Sequence, residues 1–340
     1  MMNCSALNER VESSNACGGV VTRRSLLFAA AGAMLSAVGG CTGSQQPHSH
    51  GTAGSASWAK YAGKHPIKAV CTTGMVADVV GKVGGNWVAV EQLMGEGIDP
   101  HLYKATPGAI STLTASDVVF YSGLHLEGRM TDVFENMAQR RPVVAVTSSV
   151  PTDKLIGLGH DSFDPHVWFD VALWSATIES VSKFLGDFDP THRADFDAAA
   201  AAYTVELKTL DDECRKRLAE IPKDKRVLIT AHDAFHYFGR AYDVDVKAIQ
   251  GVSTDTEAGL REINALVDFI VERKIKAVFI ETSVSDRNVQ NLVEGCKSKA
   301  HEVRIGGELF SDSMGKPGTP EGTYVGMVRH NVEVIASALK

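Results

Sequence analysis

The tripeptide Asp-Pro-His occurs twice, as Asp99-Pro100-His101 in GIDPHLYKATP and as Asp164-Pro165-His166 in DSFDPHVWFD. Proline fixes its own φ and drives the preceding residue out of the helical region. Each imidazole is therefore carried on a stiff turn, with an aromatic residue, Tyr103 or Trp168, close behind. A third histidine, His232, follows the apolar run RVLITA directly, and Asp312 follows EVRIGGELF. Three imidazoles and one carboxylate suit a borderline divalent ion such as Zn2+, or Mn2+ when the aspartate offers both oxygens. Taken singly, each residue has a plainer reading: His101 and His166 as loop histidines, His232 and Asp312 as helix caps. Their joint placement is what points to a metal.

That placement comes from the elements around them. From Ile67 onward, short apolar strands alternate with helical stretches: IKAVC then GMVADVVGKVGG, WVAVEQLM, PGAISTLTA then SDVVFYSG, and a helix before PVVAV. The alternation returns from Lys225 to Phe310. Such a pattern predicts parallel sheets covered by helices on both faces, here as two α/β lobes. In open parallel sheets ligands bind beyond the carboxyl ends of the strands. His101, His166, His232 and Asp312 each follow a predicted strand, two in each lobe.

Between the lobes, Asp189 to Pro222 is rich in alanine and other helix formers, with no Gly or Pro from Thr191 to Ile221. A helix of that length would reach on the order of 45 Å. As the single connector it predicts a stiff link and small lobe motion. The domain reading is residues 1–40 as leader, 41–65 as tether, 66–188 as the first lobe, 189–222 as the linker helix and 223–340 as the second lobe.

The leader is an export signal by its pattern. Arg23-Arg24 precedes an apolar run from Leu26 to Val38, too short to span a bilayer. Gly39-Gly40-Cys41 resembles a bacterial lipobox, which predicts cleavage before Cys41 and lipid on its thiol; the paired arginines fit a twin-arginine or a general secretory route. Residues 42–57, TGSQQPHSHGTAGSAS, have tether composition. Cys71, Cys214 and Cys296 show no CxxC spacing and predict no structural disulfide. With 44% hydrophobic and 22% charged residues and a formal net charge of −7, the chain is ordinary globular material with no nucleic-acid-binding signature.

The blocks DPHLYKATP, DPHVWFD, ITAHDAFHYFGRAY, QGVSTDTEA, FIETSVSDRNV and IGGELFSDSMG, in this order, resemble the zinc/manganese-binding receptor lipoproteins of ABC importers, especially their TroA-like members. The resemblance runs from Ile67 to Lys340. It implies two four-stranded α/β lobes joined by one long helix, with the ion in the cleft between them. Carried over position by position, it implies His101, His166, His232 and Asp312 as ligands, the same four that the strand-end reading selects. Some relatives carry glutamate at the position of His232. The histidine-rich loop of dedicated zinc receptors is absent, which leaves Zn2+ and Mn2+ both open. His125, Glu257 and Glu281 are candidates for orienting the ligands from behind. The implied partners are a membrane permease and its ATPase, with the receptor a monomer lipid-anchored on the outer face of the cell membrane.

Two other classes compete. A surface adhesin has no sequence feature of its own here. A zinc hydrolase needs an open coordination position and a base, whereas four protein ligands leave no vacancy and no HExxH occurs. A receptor, not an enzyme, is the expectation.

Overall fold

The computed structural model describes residues 58–340. The leader, Cys41 and the tether as far as residue 57 lie outside the described residues. The first lobe contains β1 (Ile67–Cys71), α1 (Gly74–Gly84), β2 (Val88–Gln92), α2 (Pro107–Ala115), β3 (Val118–Tyr121), α3 (Thr131–Ala138) and β4 (Val143–Ala145). A short hairpin, β5 (Gly157–Gly159) with β6 (Ser162–Phe163), precedes α4 (Val171–Trp174) and α5 (Thr177–Phe188). The four main strands form one parallel sheet in the order β2-β1-β3-β4. Two threonines start its helices. The Thr73 side chain accepts from the Val76 N–H ahead of α1, and Thr106 accepts from Ala109 N–H ahead of α2, where Pro107 takes the first position.

The connector, α6, spans Arg193–Leu218. It is shorter than the sequence suggests, about 39 Å at 1.5 Å per residue. Pro190–His192 forms a 3-10 turn before it, and the chain turns away after Leu218 ahead of Pro222. Its buried residues are Phe196, Ala200, Tyr203, Leu207, Leu210, Cys214 and Leu218. Steps of three and four keep them on one stripe. That stripe enters a core continuous with β1, α1, α5 and the second lobe. The second lobe runs β7 (Val227–Thr230), α7 (His236–Tyr242), β8 (Asp245–Ala248), α8 (Leu260–Arg273), β9 (Ala277–Glu281), α9 (Arg287–Ser298), β10 (Arg304–Leu309) and α10 (Tyr324–Leu339). Its strands form two parallel pairs, β7 with β8 and β9 with β10, and β7 runs beside β9. Cys71, Cys214 and Cys296 are free and buried. Among the described residues no helix is long and apolar enough to cross a membrane.

Side chains also tie the lobes together. Asp78 on α1 accepts from Tyr203 Oη on the connector at 2.5 Å and from the Tyr324 N–H that opens α10 at 3.1 Å. Tyr324 Oη donates to the Trp168 carbonyl at 2.6 Å, and Trp168 Nε1 donates to the Ser311 carbonyl at 3.1 Å. Asp78→Ala removes both bonds to that carboxylate and leaves the Tyr324 N–H without it. The expected cost is about 2–3 kcal/mol of unfolding free energy. It would be read as a lowered denaturant midpoint at unchanged slope, and an unchanged midpoint would mean that Asp78 does not tie the lobes.

Candidate metal centre

His101, His166, His232 and Asp312 converge, each offering one ligand atom, all within 4.8 Å of one another. All four are buried: His101 is 5% exposed, Asp312 1%, His166 and His232 0%. His101 sits in the loop after β2, His166 after the hairpin that follows β4, His232 two residues past β7 and Asp312 three past β10. The site therefore lies at the carboxyl ends of the strands of both lobes, as open parallel sheets favour.

The Asp-Pro-His repeat has a direct structural cause. Asp99 Oδ1 accepts from the His101 N–H at 2.8 Å, and Asp164 Oδ1 accepts from the His166 N–H at 3.0 Å. These are two copies of one Asx turn, each presenting an imidazole beyond its proline. Asp164 does more. Its Oδ1 also accepts from His166 Nδ1 at 2.7 Å, which turns the His166 Nε2 toward the centre. Asp99 instead reaches across the cleft, where Oδ2 accepts from Thr254 Oγ1 at 2.6 Å. Glu281, the last residue of β9, plays the Asp164 part for His232. Its carboxylate accepts from the His232 N–H at 2.8 Å and from Nδ1 at 2.5 Å. Carboxylates behind metal-binding imidazoles fix tautomer and ring orientation.

The inward atoms are spaced for an ion. His101 Nε2 lies 3.3 Å from His166 Nε2 and 3.5 Å from Asp312 Oδ2. Asp312 Oδ1 lies 3.4 Å from His166 Nε2, and Oδ2 lies 3.2 Å from His232 Nε2. A tetrahedron of donors about 2.0–2.1 Å from its centre has edges of about 3.3–3.4 Å. Despite these approaches, His232 Nε2 and both Asp312 oxygens have no aligned hydrogen-bond partner among the described residues. Buried polar atoms are seldom left so, and an ion coordinated by them would satisfy all three. The donor set and spacing fit Zn2+ or Mn2+.

The electrostatics follow from burial and from carboxylates on both sides. Burial disfavours the charged forms of His166 and His232, but their carboxylate neighbours outweigh it. Asp164 and Asp312 push His166 up to about 9. Asp312 and Glu281 hold His232 well above its ordinary value. His101 has no carboxylate behind its ring, and burial pulls it down to about 4. Burial would raise Asp312, yet His232 and His166 hold it well below the usual carboxylate range.

The other sequence candidates are distributed less evenly. Trp168 walls the centre, its buried ring edge-on to His166 at 5.2 Å. Tyr103 packs instead on the small core formed by Val70, Leu113 and Val119. His125 lies on a loop in the left-handed region, φ 64°, and lines with His101 and Asp255 a cavity of about 200 Å³. Buried Glu127 pins that loop by accepting from Thr72 Oγ1 at 2.6 Å and the Ser122 N–H at 2.8 Å. Glu257 is exposed in the loop before α8. Sequence reasoning missed Asp164, although it stands inside the repeated motif, and Glu127, six residues past the end of β3.

The chain is similar to known proteins over most of its described length. The family model for ZnuA, the periplasmic component A of a zinc-uptake complex, matches residues 69–338. The manganese-binding lipoprotein MntA of Bacillus subtilis (strain 168) is 47% identical over 275 residues, 81% of this chain and 90% of its own length. The zinc-binding protein TroA of Treponema pallidum (strain Nichols) is 46% identical over 270 residues, 79% of this chain and 88% of its own. The solved structure of periplasmic zinc-binding TroA from Treponema pallidum superposes with a TM-score of 0.79 at 45% identity, covering 82% of this chain and 99% of that one. On the strength of a match that runs through both lobes, the chain belongs to the family of periplasmic zinc-uptake complex component A proteins.

Proposed function

We propose that this chain is the extracytoplasmic receptor of an ABC importer, which takes up a Zn2+ or Mn2+ ion between its lobes and hands it to a membrane permease powered by an ATPase. The observation that carries this reading is the set of three buried, partnerless atoms on His232 and Asp312, with the Asp312 oxygens 3.4 and 3.5 Å from two further imidazoles. The similarity to MntA and TroA, one named for manganese and the other for zinc, supports the same cargo class. His101, His166, His232 and Asp312 are the ligands. Asp164 and Glu281 hold His166 and His232 in the tautomer that presents Nε2. Lipid on Cys41 keeps the protein at the outer face of the membrane, as in the lipoproteins it resembles.

Catalysis is not its task. A catalytic zinc keeps a coordination position for water, and four protein donors around one point fill a tetrahedral shell. Capture and release follow from the lobes. Cross-cleft contacts such as Asp99 with Thr254 and Arg129 with Asp255 add to the closed form. An ion that binds both lobes shifts the population toward that form only by its preference for it. The test is elemental analysis of the protein isolated from its own envelope, together with metal uptake in a strain lacking it. At least one Zn2+ or Mn2+ per chain and slowed uptake of the same ion are expected. Metal-free protein with unchanged uptake would overturn the reading.

A further inference from the structure

A second cluster of ligating side chains lies away from the cleft, formed by His65, Asp189 and His192. His65 precedes β1, Asp189 is the residue after α5, and His192 is the residue before α6. His65 Nε2 and His192 Nδ1 both donate to one oxygen, Asp189 Oδ2, each at 2.7 Å. The carboxylate is 3% exposed, while the imidazoles remain open to solvent, with 30% of the His65 side chain and 16% of the His192 side chain exposed. Aromatic rings hold both imidazoles in place. Trp87 stacks on His192 with centroids 3.6 Å apart, and Tyr61 and Trp87 meet the His65 ring edge-on at 5.3 and 5.5 Å. Trp87 is itself fixed by donating from Nε1 to Asp195 at 3.0 Å.

We propose that His65, Asp189 and His192 form a second site for a divalent transition ion, which fastens the segment entering the first lobe to the start of the connector helix. One imidazole would satisfy a buried carboxylate oxygen. Here two, from separate parts of the chain, converge on the same one, on the solvent side of an already desolvated anion. If each ring carries its proton on the other nitrogen, two lone pairs and a carboxylate face one point. Opening the 2.7 Å separations to about 3.3 Å admits an ion at ordinary N and O distances. Two nitrogens and one oxygen select a borderline ion such as Zn2+, Ni2+ or Cu2+, with water completing the shell. The Tyr61 N–H donates to the Phe188 carbonyl at 2.7 Å, so this strap is already docked before any ion arrives. An ion would strengthen a contact that exists.

The test uses the mature chain with His48 and His50 replaced by alanine, so that tether histidines contribute nothing. Zn2+ or Ni2+ titration with elemental analysis after dialysis should give two ions per chain. His65→Gln and His192→Gln, made separately, should each reduce this to one while leaving binding in the cleft unchanged. In a chain carrying Asp312→Asn and His232→Ala, the ion that remains should be the one removed by His65→Gln. Cu2+ should quench Trp87 emission in that chain, and Trp87→Phe should remove the quenched component. A stoichiometry of one in the starting chain, or of two that neither histidine variant changes, would mean that the cluster is hydrogen-bonded only and would overturn the proposal.

Discussion

Asp312→Ala is expected to weaken Zn2+ binding by about a hundredfold to a thousandfold, with both lobes still folded. The magnitude follows from sharing the binding free energy of a four-ligand zinc site, about 10–16 kcal/mol, among its donors, or about 2.5–4 kcal/mol each. Asp312 is the extreme case, because its two oxygens approach all three imidazoles. Its loss also removes an anion that holds protons on His166 and His232, which eases proton competition and offsets only part of the cost. Glu281→Gln should cost less, about tenfold to a hundredfold, since it keeps a partner near His232 Nδ1 and touches no ion. Competitive titration against a chelating dye ranks the two directly. If Asp312→Ala bound as tightly as the unaltered chain, the centre would have to be redrawn without it, and equal losses for the two variants would erase the distinction between ligand and supporting carboxylate.

The four converging residues were legible because strand ends and proline turns leave marks in a sequence. Strand–helix alternation fixes which loops share a face of a parallel sheet, and Asp-Pro holds the next residue on a turn. Asp164 is less legible because the Asp-Pro pattern signals only a backbone effect, while the carboxylate also grips the His166 ring. Glu281 was visible only as one of several acidic candidates; what separates it from Glu257 is its place as the last residue of β9, pointing at His232 rather than into solvent. The β5–β6 hairpin leaves no mark in the sequence pattern. Its strands have three and two residues, and its turn uses left-handed Gly159, His160 and Asp161, too little for a periodicity of two to register. Helix composition locates the connector but overruns both ends; at the first, the turn Pro190–His192 sits where Asp189 accepts from His192 and from distant His65. That pairing, 124 residues apart, has no local signature.

Metal affinity should climb about a hundredfold per pH unit through neutrality, and binding should release two protons. Free histidines, with pKa values near 6.5, would give a different curve: a plateau above that value and a steep fall below it, which is what the sequence alone suggests. The carboxylates change this. His166 is pushed up to about 9 and His232 is held well above its ordinary value, so in the metal-free protein at pH 7 both carry protons balanced by Asp312, Asp164 and Glu281. An ion coordinating both Nε2 atoms must expel both protons, and a doubly charged ion replacing two protons leaves the charge of the site unchanged. The sign follows from the direction of the shifts. A raised pKa means that the proton competes at every pH below it, so affinity falls with a slope of two as pH falls below both raised values. His101, pulled down to about 4, adds a third competing proton only in stronger acid. Glu281→Gln loosens the proton on His232 and should reduce the slope toward one. Calorimetry at pH 7 in buffers of different ionisation enthalpy counts the released protons, and titrations between pH 6 and 8 give the slope. No net release at pH 7, or equal affinity at pH 7 and 8, would show that His166 and His232 are neutral before the ion arrives, and the charge-exchange account of the site would fail.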